Sequence, residues 1–78
     1  MTIQQILQSG VVIGNTVHIV YFNQYGNKVE DLLSFQGFNP RGEDNVAVFY
    51  EKDKKGLFGR QITVAPVAIQ SIIPQVQL

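Results

Sequence analysis

The amino-acid sequence predicts a mostly β domain: a short N-terminal helix followed by a small five-stranded barrel that associates with copies of itself and catalyses nothing. Three observations predict it. Apolar residues recur at helical spacing only near the start of the chain and alternate in twos from Val17 onward. Turn residues break that alternation into five short runs, fewer than the roughly seven strands a sandwich needs. The last run, residues 67–73, is uncharged and β-prone, a hazard if its edge stays open.

The elements follow in order. Ile3, Ile6 and Leu7 fall on one helical face between Thr2, a suitable N-cap, and Gly10, a suitable stop, which predicts a helix of about two turns over Thr2–Ser9. A helix that short must pack on something. In the first strand, from Val17, Val17, Ile19 and Tyr21 alternate with His18, Val20 and Phe22, and both sets are largely apolar, so both faces are expected to be covered. Asn23–Asn27 reads as a hairpin turn in which Gly26 takes a positive φ. The second strand is expected over Lys28–Phe38, long enough to bend, with Gly37 the place for a bulge. Residues 39–44, Asn-Pro-Arg-Gly-Glu-Asp, are turn chemistry and predict a loop. Asn45–Tyr50 alternates as a third strand and ends in the charge run Glu51–Gly56, read as a solvated hairpin tip. A fourth strand over Phe58–Val64 breaks at Ala65-Pro66, and a fifth over Val67–Ile73 ends at Pro74.

Composition bounds the function. A chain of 78 residues makes one domain with a marginal core, and without cysteine it has neither disulfides nor thiolate metal sites to reinforce it. Association between subunits is the remaining device. Pairing the fifth strand with a neighbour removes the open edge, and a head-to-tail contact that closes makes a ring. The contact is expected at Val67, Ile69 and Ile72, with Ile62 and Val64 of the fourth strand. Six basic residues balance six acidic ones, so long-range steering of an anionic partner is weak. A single histidine, His18, with no evident partner, supports neither a metal site nor catalysis, and no cofactor is expected. The acids Glu30, Asp31, Glu43, Asp44, Glu51 and Asp53 stand in polar contexts with no spacing that suggests a paired acid and base. Residues 56–60, Gly-Leu-Phe-Gly-Arg, lack the ending of a phosphate loop and read as a turn. With no run of 18 apolar residues and no secretory signal pattern, no membrane partner and a cytoplasmic location are expected.

Several stretches resemble the Sm-like family, and its bacterial Hfq branch more than the Sm proteins proper. Val17-His18-Ile19-Val20-Tyr21 after a polar helix is similar to the first strand of that branch. Ser34-Phe35-Gln36-Gly37-Phe38 resembles its Ser-Phe-Asp-Gln-Phe, and residues 68–74 resemble its Ala-Ile-Ser-Thr-Val-Val-Pro. Gly37-Phe38-Asn39 with Asn45-Val46-Ala47-Val48 echoes the wider Sm pattern of Gly-Phe-Asp, then Asn and an apolar strand. The resemblance implies an SH3-like (Sm-like) barrel, a homo-oligomeric ring of roughly five to seven copies, and binding of single-stranded RNA. It makes Phe38 the platform on which a base stacks and gives Asn39 or Asn45 the base edge. Gln4, Gln5 and Gln8 become candidates for a base-contacting glutamine, Gln8 being nearest the helix end, and Arg41 joins Lys52, Lys54, Lys55 and Arg60 as a source of positive charge. Ala65-Pro66-Val67 stands where the bacterial branch has Tyr-Lys-His and Sm proteins an Arg-Gly pair, so neither cation nor imidazole is supplied there.

The plainer readings stand beside these. Phe38 can belong to the core or to a subunit contact, the two asparagines can cap turns, and the bases can be interspersed surface charge. Three functions follow: an RNA-binding ring, a protein-interaction or structural module on the same scaffold without RNA binding, and an SH3-like barrel of another family that reads peptides.

Overall fold

A computed structural model describes residues 1–41, 44–52 and 58–75. The order is α1 (Ile3–Gln8), β1 (Thr16–Phe22), β2 (Lys28–Arg41), β3 (Asp44–Lys52), β4 (Phe58–Val64), a 3-10 turn (Pro66–Ala68) and β5 (Ile69–Pro74). The strands form one antiparallel sheet in the order β4-β3-β2-β1-β5. It is open, with β4 and β5 as its two edges.

Local chemistry explains the elements. Thr2 caps α1 by accepting from the Gln5 amide at 3.1 Å while the Gln5 side chain accepts from the Thr2 amide at 2.9 Å, a reciprocal pair that satisfies two donors a helix start leaves free. In the β1–β2 turn the Asn23 carboxamide accepts from the amides of Tyr25 and Asn27, and Gly26 takes φ +77°. Gly37, at φ +104°, marks the register shift between β2 and β3, where Phe35 faces Phe49 but Gly37 faces Val48.

Three expectations are corrected. Asn39, Pro40 and Arg41 continue β2 instead of opening a loop, because Asn39 pairs with Val46 and Pro40 with Asn45. Pro40 sits near the strand end, where a missing amide costs least. Val67 and Ala68 lie in the 3-10 turn, not in β5, since Pro66 fixes its own φ and the Ala68 amide closes on the Ala65 carbonyl at 2.9 Å. The outer face of β1 is covered only at Val20, 9% exposed between Glu30 and Ser71, while Phe22 is 44% exposed. Residues 53–56 of the expected hairpin tip, and Gly42 and Glu43, lie outside the described residues.

The core gathers Val17, Ile19 and Tyr21 from β1 with Leu33, Phe35, Phe49, Val64, Ile69 and Ile72, so all five strands curl around one cluster. Ile6 enters it from α1 with no exposed surface. The rings of Phe35 and Phe49 lie 5.6 Å apart, a spacing that adds a directional term to simple burial. The chain just before the helix is tied to the β4–β5 corner: the Met1 nitrogen donates to the carbonyls of Pro66 and Ile69, each at 2.8 Å.

Candidate nucleic-acid interface

The end of β2 and the beginning of β3 bring the polar candidates together. Phe38 lies opposite Ala47 on the inner face of β2, half-buried against the core. Its ring meets Phe35 edge-on, with centroids 5.6 Å apart and planes at 75°, so part of the ring is held by the fold and part faces outward. Asn39 and Asn45, both exposed, follow on the two sides of the same hairpin, opposite Val46 and Pro40. Arg41 ends β2 paired with Asp44, and its side chain lies outside the described part.

Asn45 borders a cleft of about 510 Å³ between the start of α1 and the β4–β5 corner. Met1, Ile3, Val46 and Pro66 supply apolar walls, while Thr2, Asn45 and Thr63 supply hydroxyl and carboxamide groups. No lining side chain is charged. The Met1 ammonium at its edge already donates to the carbonyls of Pro66 and Ile69, and the rest of the lining suits a group with hydrogen-bonding edges and an apolar face. Phe38 does not line it. Gln8 does not either: six residues beyond Thr2, it stands about 9 Å further along the helix axis, exposed near Gly10. Gln4 is exposed, and Gln5 is engaged in the helix cap.

Charge lies elsewhere. Arg60 pairs with Glu51 at 3.0 Å across β3 and β4. Near them the Tyr21 hydroxyl has its pKa raised above 10.0, by burial first and then by the negative charges of Asp31 and Glu51, against the lowering effect of Arg60. His18 does have a partner, contrary to expectation: its Nε2 stands 2.7 Å from a Glu30 carboxylate oxygen. Antiparallel register carries this pairing, because Val20 faces Glu30 and His18 faces Leu32, one step along the same side. Among the described residues no three His, Cys, Asp or Glu side chains converge as a metal site, and no helix is long and apolar enough to cross a membrane.

The residues expected at a subunit contact divide. Val67 is 89% exposed in the corner turn, and Ile62 is half-buried. Val64, Ile69 and Ile72 turn their side chains into the chain's own core, so what β4 and β5 offer a neighbour at these positions is backbone. Sequence reasoning passed over the aromatic residues near the β1–β2 turn, Phe22 and Tyr25, the latter 78% exposed. The available signal was a tyrosine inside a run of turn formers, where local geometry gives an aromatic ring no work. Compared with protein-family models, curated proteins and solved structures, the chain matches none of them.

Proposed function

We propose that this chain is the subunit of a homo-oligomeric, Sm-like ring that binds single-stranded RNA and has no catalytic role. One observation carries the reading: a single curled sheet has unpaired edges, β4 and β5, at its opposite ends. A head-to-tail contact of β4 with the β5 of the next copy uses one of each per subunit, and a closed ring leaves none open. The curled sheet is then an SH3-like barrel completed at its seam by a neighbour. A core as small as that of 78 residues gains from such association.

RNA binding is supported by the cleft beside Asn45, whose lining side chains carry no charge, by the exposed amide of Asn39 and by the outward part of the Phe38 ring. These are the groups that stack and hydrogen-bond an unpaired base, and a ring repeats them around one face. The packing of Phe38 against Phe35 and the engagement of Arg60 by Glu51 favour the second reading, a ring that binds protein and no RNA. A filter-binding titration with short uridine-rich and adenosine-rich oligonucleotides at two salt concentrations separates them. Binding that weakens as salt rises supports the RNA reading. No binding at low salt, from a protein that sediments as an oligomer, leaves the interaction module.

A further inference from the structure

We infer that the turn between β1 and β2 is a clamp for a second copy of this chain, Phe22 and Tyr25 holding the neighbour's β5 against the open edge of β4; the inference rests on the ring reading. A second groove, of about 460 Å³, runs between this turn and β4. Phe22 and Tyr25 line one side, and Ile62, Thr63 and Val64 the other.

The Tyr25 side chain has no part in making the turn. The Asn23 carboxamide and the positive φ of Gly26 set that geometry, and at Tyr25 only the backbone amide takes part. A ring left 78% exposed there, beside a Phe22 that is 44% exposed, costs solubility and contributes nothing to the fold of one copy. Aromatic side chains of this kind gain most when a partner covers them.

The groove also restricts its occupant. β4 pairs with β3 on one side only, so the unpaired amides and carbonyls of its other side call for a strand with backbone groups in matching order. No lining residue is charged, so a charged strand would lose hydration without gaining a partner. β5, Ile-Gln-Ser-Ile-Ile-Pro, is uncharged and has no strand on its outer side beyond the Ile69 carbonyl that Met1 engages, which matches the groove in both respects. Each copy supplies one groove and one such strand.

The test uses the whole chain. Sedimentation velocity over a range of concentrations compares wild type with Tyr25→Ala, Phe22→Ala and Tyr25→Phe, while circular dichroism follows the fold of each. The two alanine variants should keep the wild-type spectrum and weaken assembly roughly tenfold or more, the effect of losing one aromatic anchor. Tyr25→Phe, which keeps the ring, should assemble like wild type. Benzoylphenylalanine in place of Tyr25 identifies the occupant, and its cross-links should join two copies through residues 69–74. An oligomeric wild type whose alanine variants assemble unchanged, or cross-links that fall only on other segments, would overturn the clamp and leave the ring standing. A monomeric wild type at every concentration would remove the ring and the clamp together.

Discussion

Ile13 lies across Gly37, its Cδ1 3.5 Å from the place a Cβ on that glycine would take. The approach is ordinary van der Waals contact, so crowding is not what demands glycine here. The demand is the backbone, at φ +104° where β2 shifts register against β3. Gly37→Ala should therefore destabilise the chain by about 1–3 kcal/mol, the cost of holding an L-residue in that region. Urea unfolding measures it. Adding Ile13→Ala should not restore the loss, whereas recovery in the double variant would place the cause in the contact.

Ile6 ties the helix to the sheet. With six residues α1 has no independent stability, and Ile6 is its one fully buried side chain. Ile6→Ala should cost about 2–5 kcal/mol, a large share of what so small a domain has. Amide hydrogen exchange should show residues 3–8 losing protection before the strands do. Simultaneous loss everywhere would mean that the helix is integral to the cooperative unit and does not dock on it.

Tyr21 sets an alkaline limit. Its pKa in the folded chain is raised above 10.0 by burial and by Asp31 and Glu51, so the unfolded chain gives up this proton first as pH rises. Below pH 10 both states keep the proton and stability is unaffected by it, whereas above pH 10 the unfolded state binds fewer protons and stability falls. Tyr21→Phe should make that alkaline fall shallower, read from urea midpoints at a series of pH values. A fall of equal slope in the variant would show that Tyr21 is not responsible.

The RNA reading separates two residues that share a hairpin. Phe38→Leu keeps an apolar side chain against Phe35, so stability should change by less than about 1.5 kcal/mol. Loss of the stacking face should weaken oligonucleotide binding by roughly tenfold. Asn45→Ala, exposed at the cleft, should leave stability within about 0.5 kcal/mol of wild type and reduce binding to uridine-rich and adenosine-rich strands unequally, because a carboxamide reads a base edge. Equal losses for the two sequences would assign Asn45 to the backbone.

Much of the architecture was legible in the residues themselves. Alternation in twos located β1 and β3, because a strand packed on one core turns every second side chain inward, while turn residues and prolines marked off β2, β4 and β5. Thr2, Gly26 and Gly37 announced a cap, a turn and a bulge, since each answers a need set by its own few neighbours. Boundaries were lost where pairing outweighed local preference: Asn39-Pro40-Arg41 has turn chemistry, yet β3 offers partners that draw it into β2.

By itself, then, the sequence determined what depends on near neighbours: the helix and the five strands in outline, the glycine positions, the absence of cysteine and the balance of charge. Only the tertiary structure decided which residues come from far apart to share a space. It set His18 against Glu30, Asn45 against the helix start, and Tyr25 across a groove from β4. It also turned Val64, Ile69 and Ile72 inward while leaving the backbone edges of their strands open. Strand order and register fix such pairings, and both arise from the competition of all strands for one core, which no single stretch of the chain contains.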